Sequence, residues 1–182
     1  MVRSPRWNYD GEWIQERDHI RNRVPEHWKP EKMVEGGPGA AETYTSMVYC
    51  KPLEDDFTVT TRMSFDYRMA PLVVLAAEPV YKGGQREYRE HCEVVLFDEG
   101  VNVWTHGFSS AGPHWILAAY WRFPLEANIA HRLQVQREGA QLKMILGDRI
   151  FGCVPAGLPA TVFAGITACE GVNRFYEFGI EA

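Results

Sequence analysis

The sequence predicts an all-β protein, an antiparallel β-sandwich of jelly-roll type with few or no helices. Three observations predict it. Helical periodicity is almost absent from the 182 residues. Roughly ten strand-like runs succeed one another at short spacing, as in sandwiches and barrels. The last third reads strand, turn, strand, turn, strand, loop, closing strand. It runs from His131-Arg-Leu-Gln-Val-Gln-Arg-Glu through Gly139, Leu142-Lys-Met-Ile-Leu and Gly147-Asp148 to Phe163-Ala-Gly-Ile-Thr-Ala and Arg174-Phe-Tyr-Glu-Phe-Gly-Ile-Glu.

The elements follow in order. The N-terminal region is charged and tryptophan-rich. Residues 7–14 read as a strand or extended arm, 15–23 as either a short helical turn or extended backbone, and 36–41 as a loop. Strands dominate from residue 43. After a strand over 44–51 comes the clearest one, 57–67. Phe57, Val59, Thr61, Met63, Phe65 and Tyr67 alternate there with Thr58, Thr60, Arg62, Ser64 and Asp66, so one face is buried and the other wet. Residues 70–77 are apolar at every second position on both sides, which predicts a central strand covered on both faces. Residues 80–85 are a Gly-Gly loop. In 88–97, Cys92, Val94 and Leu96 share one face, and Arg89, His91 and Glu93 the other. Asp98-Glu99-Gly100 is a turn. Residues 101–108 send Val101, Val103 and Thr105 inward and Asn102, Trp104 and His106 the opposite way. Residues 114–123 follow a turn at 109–113. Residues 133–138 and 142–146 make a hairpin around Gly139-Ala140. Residues 1–182 are expected to be a single jelly-roll domain, with 1–42 as an arm and strand packed on it.

Composition narrows the function. Aromatic residues make up 13% of the chain and include six tryptophans, more than a core of this size needs, so some are expected on a surface or in a cleft. The net charge is -5 and no basic run is long enough to neutralise a row of phosphates, which argues against nucleic acid. The longest apolar run, at 70–77, is too short to cross a bilayer, so no membrane partner is expected. The basic start Met1-Val-Arg-Ser-Pro-Arg-Trp has no apolar segment behind it, giving an expected cytoplasmic location. The scattered Cys50, Cys92, Cys153 and Cys169 are expected to be reduced, packed thiols.

The best candidate for chemistry is a face. The turn at 98–100 makes 88–97 and 101–108 a hairpin, so residues of one parity meet about 5 Å apart across it. That gathers His91 and Glu93 with Asn102, Trp104 and His106. The next strand adds Tyr120 and Arg122, provided Leu117, Ala119 and Trp121 face the core. Such a mixture suits a sugar. Its C–H face stacks on an indole or phenol, and its hydroxyls need fixed donors and acceptors. The expected ligand-binding residues are Asn102, Trp104, Tyr120, Arg122 and the loop residue Arg174, and the acid–base candidates are His91, Glu93 and His106. The bland alternative is the ordinary wet face of an antiparallel sheet.

Several chemistries find no footing. Glu93 and Glu99 share parity but lie six residues apart, about 20 Å along a strand, far beyond the separation of a glycosidase acid pair. The sequence has no Gly-x-Ser-x-Gly elbow, dinucleotide fingerprint or phosphate loop. Two imidazoles and a carboxylate are adequate zinc ligands if they converge, but nothing in the spacing of His91, Glu93 and His106 demands it. No metal or cofactor is therefore assigned.

Taken in order, these segments resemble the concanavalin A-like lectin/glucanase superfamily, which includes galectin-like jelly rolls. In particular they resemble the YesU-like proteins of bacterial carbohydrate-utilisation operons. The resemblance rests on Phe57-Thr-Val-Thr-Thr-Arg-Met-Ser-Phe, Ala70-Pro-Leu-Val-Val-Leu-Ala-Ala and Glu93-Val-Val-Leu-Phe, on the hairpin 133–146, and on Ala164-Gly-Ile-Thr through Tyr176-Glu-Phe. It implies binding or processing of a saccharide in intracellular carbohydrate catabolism. Two alternatives stay open. One is a lyase or hydrolase acting on an acidic or oxidised sugar, with Arg122 or Arg174 holding its carboxylate. The other is a non-catalytic subunit docking on a neighbouring enzyme. The superfamily's compact Glu-x-Asp-x-x-Glu acid signature is missing, so no catalytic residue follows from the resemblance. Whether the chain forms a homo-oligomer or joins a partner enzyme is also left open.

Overall fold

A computed structural model describes residues 1–3, 11–29, 31–32, 43–68, 70–82 and 84–182. The strands are β1 (Val2–Arg3), β2 (Trp13–Gln15), β3 (Ile20–Asn22), β4 (Thr45–Val48), β5 (Phe57–Phe65), β6 (Leu72–Ala76), β7 (Val80–Lys82) and β8 (Gln85–Glu87). The second half contributes β9 (His91–Phe97), β10 (Gly100–Ser109), β11 (Gly112–Arg122), β12 (His131–Glu138), β13 (Gln141–Leu146), β14 (Arg149–Cys153), β15 (Phe163–Ala168) and β16 (Asn173–Glu181). One seven-stranded sheet runs β1-β4-β15-β6-β9-β10-β11, and a second runs β14-β13-β12-β5-β16-β3-β2. All their pairings are antiparallel. The fold is the jelly-roll β-sandwich that the strand order predicts.

The core forms where the inward parities of the two sheets meet. Val59, Met63, Phe65, Leu133 and Val135 from the second sheet pack against Val73, Leu75, Val94, Leu96, Val101 and Val103 from the first. Each is fully buried, and a buried side chain of this size contributes about 1.5–3 kcal/mol. Phe178, on the closing strand, is only partly buried against this core. The central strand β6 is buried at every position. Its Val73 and Leu75 enter the inter-sheet core, while Leu72, Val74 and Ala76 belong to a second apolar cluster on the opposite side. That second cluster, with Tyr44, Tyr88, Val95 and Phe163, covers part of the outer face of the first sheet.

Two local expectations are corrected and one open reading is decided. The expected loop at 80–85 is instead part of a two-stranded hairpin, β7 with β8. Of the two readings of residues 15–23, the extended one holds, because β2 and β3 pair there. A register shift between Val103 and Trp104 sets Val103 opposite Ala119 but Trp104 opposite Leu117. A β-bulge of this kind reverses the facing of every residue beyond it, so Leu117 leaves the core side and stands half-exposed. Ala119 and Trp121, on the near side of the bulge, do pack on the core. The expected arm at 7–10 and loop at 36–41 lie outside the described residues.

Candidate functional site

The site lies on the outer face of the first sheet, where β9, β10 and β11 run side by side. Register alone brings its members together: Trp104 is opposite Glu93, His106 is opposite His91, and on the other flank Trp115 is opposite His106. The hairpin holding β9 to β10 turns at Gly100. Its φ is 130°, a conformation that L side chains rarely adopt, and a Cβ there would run into the Trp121 carbonyl oxygen.

At the centre is a clamp of three side chains. Glu93 takes His91 Nε2 at 2.8 Å on one carboxylate oxygen and His106 Nε2 at 3.0 Å on the other. The two imidazoles lie nearly parallel, their centroids 4.2 Å apart. His91 is 2% exposed and Glu93 7%, so neither stands on the wet face that alternation predicts. The second apolar cluster covers this side of the sheet and takes both out of solvent. Tyr88, edge-on to the His91 ring, closes one side, and its hydroxyl shares hydrogen bonds with the Ser46 and Thr167 hydroxyls.

Proton positions follow from the partners. The Arg89 carbonyl can only accept, so His91 Nδ1, 2.5 Å away, carries a hydrogen and donates it. In a neutral imidazole that leaves His91 Nε2 with a lone pair. This lone pair points at a carboxylate oxygen, so the contact needs a proton or a cation between the two atoms. Burial favours the uncharged forms and pushes the His91 imidazolium below its usual range. Burial also works to raise the Glu93 carboxyl, but the two imidazoles outweigh it and hold that carboxyl well below the ordinary carboxylate range.

The clamp opens into a groove of about 410 Å³ lined by Tyr44, Ala70, Leu72, Val95, Asn102, Trp104, Trp115, Cys169 and Glu170 together with Glu93 and His106. Its walls are aromatic and aliphatic. Its described polar groups include two carboxylates, an amide and an imidazole, and no Lys or Arg. Tyr44 donates its hydroxyl to Glu170. Asn102 lines the groove, and its Oδ1 is buried with no hydrogen-bond partner among the described residues.

The predicted residues divide. His91, Glu93, Asn102, Trp104 and His106 converge. Tyr120 is opposite Asn102, but its hydroxyl bonds Glu99, and Arg122 bonds that same hydroxyl. Glu99 and Arg122 line a separate depression with Asp98, Phe123 and Pro124 at the other end of the strands. Arg174 sits on β16 in the second sheet, opposite Arg21 and Ser64, and does not line the groove. Trp115 was missed. Its parity matches that of the core-facing Ala119 and Trp121, and only the bulge brings it to the groove. Its 58% exposure gives no local sequence signal. Tyr44 and Glu170 come from distant strand ends, which no pattern in the chain connects.

No known family profile matches the chain, and no curated protein does. Solved structures do. Carbohydrate-binding module CBM66 from Bacillus subtilis superposes with a TM-score of 0.67 at 13% identity, over 95% of this chain and 92% of that one. A Parabacteroides distasonis protein provisionally described as a glycosyl hydrolase gives 0.58 at 9% identity, over 93% and 82%. Alginate lyase A1-II′, a member of polysaccharide lyase family 7, gives 0.52 at 6% identity, over 93% and 82%. The likeness is one of fold. Among the described residues, no helix is long and apolar enough to cross a membrane.

Proposed function

We propose that this chain binds a neutral saccharide in the groove on the outer face of its first sheet. The observation that carries the reading is the gathering of two indoles, Trp104 and Trp115, with the amide of Asn102 and the imidazole of His106 in one groove. A pyranose ring buries its C–H face on an indole, and its hydroxyls exchange hydrogen bonds with amide, imidazole and carboxylate groups. The fold-level neighbours include a carbohydrate-binding module and a polysaccharide lyase, which supports a saccharide ligand. The YesU-like segment order supports a place in carbohydrate catabolism.

The described lining favours a neutral sugar over an acidic one. It holds Glu93 and Glu170 and no Lys or Arg, while Arg122 is paired with Glu99 elsewhere. An enzymatic reading draws on one specific observation, the buried His91–Glu93–His106 clamp at the groove floor, which places acid–base groups beside the ligand. A glycan array spanning neutral and uronic-acid oligosaccharides, run with and without divalent metal, tests the proposal. Binding of neutral glycans that the Trp115→Ala variant loses is the expected result. An array with no bound glycan, or only uronic acids bound, overturns it.

A further inference from the structure

We propose that His91, Glu93 and His106 form a divalent-metal site, and that its ion is zinc. The inference goes beyond the saccharide reading and is tested with metal alone.

The donor set comes first. One ring nitrogen from each histidine and one carboxylate oxygen all lie within 4.8 Å of one another. Imidazole nitrogen and carboxylate oxygen are the donors of three-ligand zinc centres. Direction comes second. Both histidines turn Nε2, not Nδ1, toward the same carboxylate, and their stacked rings aim the two nitrogens in parallel from adjacent strands. Orientation comes third. His91 Nδ1–H is anchored on the Arg89 carbonyl, the outer partner that metal-bound histidines nearly always have, and this anchor fixes the lone pair on Nε2. A lone pair and a carboxylate oxygen 2.8 Å apart call for a positive centre between them.

The fit requires little movement. Zinc–ligand bonds of about 2.0–2.1 Å in a tetrahedral arrangement place donor atoms about 3.3 Å apart. The two histidines now meet different oxygens of the Glu93 carboxylate, at 2.8 and 3.0 Å, and with one oxygen counted the three donor atoms lie within 4.8 Å of one another, so a rotation of the carboxylate that offers one oxygen to both brings the set toward that spacing. His91 and Glu93 supply the buried side of the site. His106, which also lines the groove, supplies the side where a fourth ligand enters. Three protein ligands and one open position describe a zinc ion that can take a water or a ligand hydroxyl.

The experiment uses the full chain, stripped with a chelator and titrated with Zn²⁺ against a chromogenic chelator. Wild type and the exposed-histidine control His27→Gln should each bind one ion per chain. Glu93→Gln and His106→Gln should bind it more weakly by about tenfold or more, since even outer partners carry ten- to hundredfold effects. A second measurement needs no variant. In ¹H–¹⁵N spectra of the imidazoles of wild type, Zn²⁺ should move the Nε2 signals of His91 and His106 and leave those of His27 and His131 in place. Absence of stoichiometric binding, unchanged affinity in both variants, or zinc shifts confined to other histidines would overturn the site.

Discussion

His91 and His106 lie ring against ring, 10° from parallel, with the Glu93 carboxylate spanning both Nε2 atoms. The stack is a product of register. The residues sit opposite each other on β9 and β10, and Glu93 is two residues along the same face from His91. A hydrogen bond to a carboxylate shielded from water is stronger than a neutral one and costly to leave half-made.

Removing the carboxylate should show that cost. Glu93→Ala leaves the buried His91 and partly buried His106 imidazoles facing a hole, and breaking a buried pair by deleting one partner costs about 3–5 kcal/mol. Glu93→Gln keeps the shape. Its amide N–H can donate to the His91 lone pair while its oxygen accepts from His106. Chemical denaturation of the metal-free protein should therefore rank wild type and Gln close together, with Ala far below. Equal losses for Ala and Gln would mean that charge, and not hydrogen bonding, holds the clamp.

Acid should loosen the fold through the same groups. His91 is held below the usual 6.5, so below that pH the unfolded chain takes up a proton that the folded one resists. Glu93 is held below its usual 4.5, so its share of stability is complete above that value and is lost as pH falls through the lower folded value. Both contributions have the same sign, and the melting temperature should fall as pH drops from about 7 to about 4. Glu93→Gln should flatten the lower part of that slope. A melting temperature that rises on acidification would contradict the assignment.

Much of this fold is legible in the chain because alternation is a local signal. Phe57 to Phe65 declares its parity within nine residues, and β6 declares burial on both faces by having no polar residue. The convergence of His91, Glu93 and His106 is legible too, because a tight turn fixes the register of the hairpin that carries them. Their burial is not. It depends on Tyr88, Leu72 and Val95 covering the outer face, and alternation cannot tell a wet face from a second packed one. Trp115 is hidden by the bulge at Val103/Trp104, which inserts one residue without any Gly or Pro to mark it.

The four thiols should differ sharply in reactivity. None of the four is in a disulfide, and Cys50 is exposed, Cys153 half-buried, and Cys92 and Cys169 buried. Burial pushes the Cys92 thiol far up and the Cys153 thiol up as well, so neither forms the nucleophilic thiolate readily. Iodoacetamide on the native protein, read by peptide mass mapping, should label Cys50 first and Cys92 only after unfolding. Early labelling of Cys92 would mean that the β9 face is open to solvent.

Gly100 should resist substitution. Gly100→Ala combines a positive φ with a clash on a backbone oxygen, so no side chain can yield to make room. A loss of about 1–3 kcal/mol is expected from such strain. Because the turn fixes the β9–β10 register, the NMR signals of His91 and His106 should shift along with it. Alanine tolerated within about 0.5 kcal/mol would show that the turn can relax, and the site would then be less rigidly framed than its register implies.

The two groove tryptophans should separate binding from folding. Trp115 is more than half exposed, and its main packing is a tilted approach to His106 with ring centroids 6.3 Å apart. Trp115→Ala therefore removes little core contact. It should leave stability within about 0.5 kcal/mol while weakening saccharide binding by more than ~1 kcal/mol, the scale of a lost aromatic contact. Trp104 is half-buried and packs on the second apolar cluster, so it belongs to both worlds. Trp104→Ala should weaken binding as well, and should also cost part of the ~3–5 kcal/mol that a fully buried aromatic gives up. Thermal melts run beside ligand titrations give the two numbers for each variant. If Trp115→Ala binds like wild type while Trp104→Ala fails only through stability, the indoles pack the sheet and the saccharide must bind elsewhere.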